Sequence, residues 1–212
     1  TTSLRSRLAV DSRTVRMTMY ALLVSALLVL GGCSQAAAPP EPAGQQTATG
    51  ATGTATTPED APEATALSGL EEAEEAASGW REDARLYAIA TATPNLTPDG
   101  EAPVWLYSYV SPSAGAVVSV SVAGGEATLM SGQPLPEKEI ENIARNALPP
   151  AGKLVDSSEA IEHAGEVRTA LEENPGAEAT AGLDSFSTGS PAWIFATTGG
   201  GGRIEERITA VR

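Results

Sequence analysis

The chain has 212 residues, with 13 Lys and Arg against 27 Asp and Glu, a net charge of −14, and a single cysteine, Cys33. So acidic a chain, with no basic cluster from Cys33 onward, excludes nucleic-acid binding, which draws its affinity from cationic contacts to phosphate. One cysteine also excludes an intrachain disulfide, so the fold has to rest on packing.

Residues 1–32 read as a secretion signal. Arg5, Arg7, Arg13 and Arg16 form a positive region opposed only by Asp11, and Met17 to Leu30 follows with no charge, proline or glycine. That run is shorter than the roughly 20 apolar residues a membrane-spanning helix needs, and it matches the apolar region of a signal peptide. Gly31 and Gly32 then offer a peptidase an unhindered backbone. The tetrad Leu30-Gly31-Gly32-Cys33 resembles the lipobox of bacterial lipoproteins: a branched apolar residue, two small ones, then cysteine. The resemblance implies that the Cys33 thiol receives a diacylglycerol, that cleavage falls between Gly32 and Cys33, and that the new amino terminus is acylated. The alternatives are an ordinary signal peptide with an incidental cysteine, or an uncleaved anchor helix. A single acyl chain holds a protein only marginally, at ~0.8 kcal/mol per buried methylene, whereas two or three hold it durably. The expected address is the extracytoplasmic side of the cell membrane or outer membrane, with the lipid as the membrane contact. Residues 33–212 keep 9 basic and 26 acidic residues, a net charge of −17.

Residues 34–66 contain no Val, Ile, Leu, Met, Phe, Tyr or Trp. Such a stretch buries too little apolar surface to offset about 1–2 kcal/mol of backbone entropy per residue. Residues 33–66 are therefore expected to be a lipidated, disordered tether, reaching roughly 30 Å as a flexible chain. Residues 67–212 hold every tryptophan and both phenylalanines, and their number suits one domain.

An α+β domain of two repeats, 67–135 and 156–212, joined by a helix over 137–148, is expected there. Ser68-Gly69-Leu70-Glu71 reads as a capping box, with Leu70, Ala73, Ala77 and Trp80 behind it at helical spacing. Leu86 to Thr93 and Val104 to Val110 read as strands around the Asp99-Gly100 turn. Ala116 to Val122 alternates apolar and polar residues at period two, and 127–130 adds a short fourth strand. Over 137–148, Ile140, Ile143, Ala144, Ala147 and Leu148 form an apolar helical stripe that Pro149-Pro150 ends. Asp156-Ser157-Ser158-Glu159 repeats the cap 88 residues after the first, with Ile161, Ala164, Val167 and Leu171 following until Asn174-Pro175-Gly176. Strands over 177–183, 192–197 and 204–211 complete the second copy. Pro191-Ala192-Trp193-Ile194-Phe195 matches Pro103-Val104-Trp105-Leu106-Tyr107 at the same offset of 88. Both copies read as a helix on an antiparallel meander, with the helices covering one sheet face.

The candidates for chemistry are sparse. Glu71, Glu72, Glu74 and Glu75 lack the ligand spacing of a calcium loop and suit the positive end of a helix. His163 is the sole histidine, with no partner set for a metal. No Gly-x-Ser-x-Gly or Ser-x-x-Lys occurs, and carboxylates such as Asp99, Glu101 and Asp184 remain as the only acid–base candidates. Gly199 to Gly202 reads as a hairpin turn rather than a phosphate loop. Trp105, Tyr107 and Tyr109 share one strand face. They form a candidate binding patch if that row is exposed, and a core row if it packs under the helices.

The two capped helices and the Pro-x-Trp strands resemble tandem PepSY-like extracytoplasmic domains. That resemblance implies a non-catalytic module binding or inhibiting other envelope proteins. A lipid-anchored envelope protein whose module binds a protein or peptide is thus the expected function, with no cofactor, no metal and a monomeric state. An envelope hydrolase using carboxylates, or a small-ligand or glycan binder in the cleft between the repeats, is the alternative.

Overall fold

Alternation decides the centre of the fold, because a strand with two apolar rows can turn either of them to the main core. The computed structural model describes residues 61–186, 189–199 and 202–212. The expected signal, the lipobox with Cys33 and the tether as far as residue 60 lie outside the described residues. The strands are β1 Arg85–Thr91, β2 Val104–Ser111, β3 Ala116–Ala123, β4 Glu126–Leu129, β5 Gln133–Pro134, β6 Glu178–Asp184, β7 Ala192–Gly199 and β8 Gly202–Thr209. They form one eight-stranded sheet in the order β4-β3-β2-β1-β6-β7-β8, with β5 also on β3. Each of the pairings is antiparallel. The helices are α1 Leu70–Trp80, α2 Glu137–Arg145, α3 Ser157–Ile161 and α4 Gly165–Glu173. The fold is α+β.

The main core lies between one sheet face and helices α1, α3 and α4. Leu70, Ala73 and Ala77 of α1 and Ile161, Val167 and Leu171 of α3 and α4 join Trp105, Tyr107, Val120, Trp193 and Phe195 in a single buried cluster. Alanines at 73 and 77 keep α1 thin on its buried side, leaving room for the large aromatics beneath. Trp105 and Trp193 meet edge to face with centroids 6.1 Å apart, and Trp193 stacks on Phe195 at 5.8 Å.

Polar bonds tie the segments before the helices into this core. The Trp105 Nε1–H donates to the Ala64 carbonyl and the Trp193 Nε1–H to the Val155 carbonyl, each at 2.8 Å. Asp156 is the N-cap of α3 and accepts the Ser157 amide at 2.7 Å. The same carboxylate accepts the Thr65 hydroxyl at 2.7 Å and the Leu67 amide at 3.0 Å, while Ser157 Oγ accepts the Ala66 amide at 2.9 Å. Gly100, at φ +76°, lies against this corner, where a Cβ would meet the Ser157 carbonyl oxygen at 2.5 Å. Beyond α1, Asp83 fixes the β2–β3 turn by accepting the Ser111 hydroxyl at 2.5 Å and the Ser113 amide at 2.8 Å. Those bonds hold its carboxyl below its ordinary range, the Ser111 hydroxyl contributing most.

Several expectations are corrected. The ordered chain begins before residue 67: Ala64 bridges Ala102, and Ala66 is fully buried. Backbone pairing and the Asp156 bonds hold this stretch without large apolar side chains. Ser68 does not cap α1; its hydroxyl donates to the Thr65 carbonyl at 2.7 Å, and Gly69 occupies the cap position. The helix expected behind Asp156 breaks at 162–164 into α3 and α4. Helix α2 stops at Arg145, where Asn146 takes the C-cap, rather than running to 148. Nor do all helices cover one face. Val110 alternates with the aromatic row and stands opposite Arg85, yet it is fully buried, and α2 packs on this part of β1 and β2. Amphipathicity specifies that a helix has a buried stripe, not which side of a sheet receives it.

Candidate functional site

Trp105, Tyr107 and Tyr109 do not form a binding patch. They are 2%, 0% and 2% exposed, facing α1 and the valines of β3. The structure takes the core branch of the fork, for a plain reason: this row carries the most apolar area and gains most from burial. The two phenols differ in their partners. Tyr107 donates to the Ala66 carbonyl at 2.8 Å. Burial, followed by the nearby Asp156 and Glu72 charges, pushes that phenol well above its ordinary range. Tyr109 is also pushed up, by burial and then by Glu74, but its hydroxyl finds no hydrogen-bond partner among the described residues. Tyr107→Phe should therefore lower stability by about 1–2 kcal/mol, because it orphans a buried carbonyl. Tyr109→Phe should be neutral or stabilising, since it removes a buried group whose hydrogen bond is unmade. Urea unfolding of the two variants checks this, and equal losses would contradict it.

The opposite face of the sheet has a different composition. Leu106 stands across from Ala90, Ala90 from Gly182, and Gly182 from Ile194, so one row crosses β2, β1, β6 and β7. The next row runs from Ser119 through Ser108 and Ala88 to Asp184 and Ala192. Two aliphatic side chains thus flank a floor of alanine and glycine. A Cβ on Gly182 would meet only the Ile89 carbonyl oxygen, at 4.0 Å, so the space above the floor is open.

A bulge in β1 between Leu86 and Ala88 adds an aromatic wall. Tyr87, the extra residue, meets Phe186 edge to face at 6.0 Å and 78°. Burial raises the Tyr87 phenol, and the Ser108 hydroxyl beside it partly offsets that rise. Tyr87, Ala90, Leu106, Gly182, Phe186 and Ile194 are all half-buried. Helix α2 covers the corner that carries Arg85 and Val110.

The other candidates do not converge. His163 is exposed in the turn between α3 and α4, Asp99 is exposed on the β1–β2 loop, Glu101 is half-buried there, and Asp184 is buried at the end of β6. Glu71, Glu74 and Glu75 lie exposed on α1, with Glu72 half-buried. Among the described residues no three His, Cys, Asp or Glu side chains group as a metal site. Open clefts of about 560 and 340 Å³ both border Arg145 at the end of α2, and none of these acids nor His163 lines them. Gly199 pairs with Gly202 at the β7–β8 hairpin; residues 200 and 201 lie outside the described ones.

Sequence reasoning missed Tyr87, Gly182 and Phe186. One signal was available: Leu106 and Ile194 occupy the same place in the two Pro-x-Trp matches, each opposite in parity to its tryptophan. Compared with family models, curated proteins and solved structures, the chain matches none.

Proposed function

We propose that the chain is a lipid-anchored protein of the cell envelope whose non-catalytic α+β module binds a protein or peptide partner on the second face of its sheet. The observation that carries the reading is the trough of open space above Gly182, flanked by Leu106 and Ile194 and by the Tyr87–Phe186 pair, with α2 packed beside it on β1 and β2. Aromatic and aliphatic side chains around a concave floor make the kind of surface where binding energy concentrates. The lipobox-like tetrad Leu30-Gly31-Gly32-Cys33 supports the address.

The module is two copies of one unit. In support, each half orders a helical segment before a three-stranded antiparallel meander, which the first half extends with β4 and β5, and the Trp105 and Trp193 indoles each bond a carbonyl of the segment ahead of their helix at the same 2.8 Å. The halves meet through β1 and β6, antiparallel neighbours at the middle of the sheet, as a two-fold arrangement requires. The likeness to tandem PepSY-like modules points the same way, toward binding rather than turnover.

Gly182→Ile tests the reading. A β-branched side chain suits a strand interior better than glycine, and nothing crowds its Cβ, so the melting temperature should hold or rise. The added bulk fills the trough. Wild-type protein should retain a partner from solubilised envelope membranes that Gly182→Ile fails to retain. Equal capture by both proteins would remove the trough from the account.

A further inference from the structure

We propose that two copies of this chain pair edge to edge through β8, antiparallel, in a single register centred on Glu206. The sheet's two margins are unequal. At the margin beyond β3 the outermost strands are short, four residues in β4 and two in β5, and a short edge offers little to a second strand. At the other margin the order ends on β8, and among the described residues nothing bonds its outer edge. The outward-facing amides and carbonyls of alternate residues along this eight-residue strand are a template for another strand.

The side chains of β8 say which strand fits. Arg203, Glu205 and Arg207 lie on the trough face, while Ile204, Glu206 and Ile208 lie on the helix face. Charged residues on an edge usually repel intruders; here their order is self-complementary in two registers, centred on Glu206 and on Ile204, and the first pairs seven residues of each strand where the second pairs five. Antiparallel pairing about Glu206 sets Glu205 against Arg207 of the second copy and Arg207 against its Glu205. On the other face it sets Ile204 against Ile208 in both directions. A shift to the centre at Glu205 would oppose Arg203 to Arg207, and odd shifts would put trough-face residues against helix-face ones.

Two further observations favour this register. Arg203 already bonds Glu205 at 2.8 Å, whereas Arg207 has no ion pair among the described residues, so a cation in a strongly acidic chain awaits a carboxylate. The one like-charged pair, Glu206 with its copy, is compensated: its Oε2 accepts the Val167 amide at 2.8 Å in the first turn of α4, where the helix dipole favours an anion. The half-buried Ile204 and Ile208 would gain cover. The monomer expected from the sequence gives way here to a symmetric dimer.

The test uses the 212-residue chain with Cys33→Ser, so that neither a lipid nor a disulfide joins copies. Sedimentation should show a concentration-dependent dimer. Glu205→Arg and Arg207→Glu should each weaken it by roughly 10-fold or more, since both symmetry-related pairs turn from attraction to repulsion. The double variant Glu205→Arg/Arg207→Glu should restore it, and the two single variants should pair with each other when mixed. In the unsubstituted β8, outward-facing amides should exchange more slowly as concentration rises, a readout independent of any variant. A monomer at the highest soluble concentration, a dimer indifferent to the single changes, failure of the double variant to restore it, or concentration-independent β8 exchange would each overturn the proposal.

Discussion

Trp193→Ala should destabilise the module by about 3–5 kcal/mol, the range for truncating a buried aromatic whose site cannot collapse. Collapse is blocked on three sides. Trp193 is fully buried, touches Trp105 edge to face and stacks on Phe195, and its indole N–H satisfies the Val155 carbonyl. The change therefore opens a cavity, strips two aromatic contacts worth about 0.5–1.5 kcal/mol each, and orphans a backbone acceptor at the junction leading into α3. Chemical unfolding would read the loss directly. A change under about 1 kcal/mol would mean that the two tryptophans do not form the common core of the two halves.

Asp156→Ala should cost about 3 kcal/mol, a large effect for a half-buried polar residue. A lost N-cap accounts for about 1 kcal/mol. The remainder comes from the charged bonds to the Thr65 hydroxyl and the Leu67 amide, with the amide left unpaired. Because these bonds join residues 91 and 89 positions apart in the chain, the loss should couple with Thr65→Val. A double-mutant cycle should return an interaction energy of about 1 kcal/mol. Strict additivity would show that Asp156 merely caps its own helix and does not bind the two halves.

What could be read from the sequence was whatever has a short period. Ala116–Ala123 alternates valine with serine, and its strand forms in the expected place. The stripe Ile161, Ala164, Val167, Leu171 is buried throughout, although the chain breaks the helix at 162–164 to carry it. Strand β2 was ambiguous because both its rows are apolar; only the tertiary structure shows that one row lies under α1 and the other, at Leu106, faces the trough. The trough itself was largely illegible. Tyr87 reaches it through a one-residue bulge, which reverses parity without leaving a composition signal. Gly182 and Phe186 belong to it because β6 pairs with β1, a contact across some ninety residues that no local pattern announces. Asp156 looked like a helix cap and is one, but its bonds to residues 65 and 67 depend on the same long-range pairing. Ser68 satisfied the capping pattern, yet its hydroxyl donates to the Thr65 carbonyl and accepts no amide of the first turn.

The proposed lipid tether is tested by the mass of the protein isolated from the envelope of the cell that makes it. The expected product begins at Cys33 and is heavier than its amino-acid sequence by a diacylglycerol on sulfur, with an acyl group at its amino terminus where the source cell adds one. An intact leader, or a free thiol at Cys33, would contradict it.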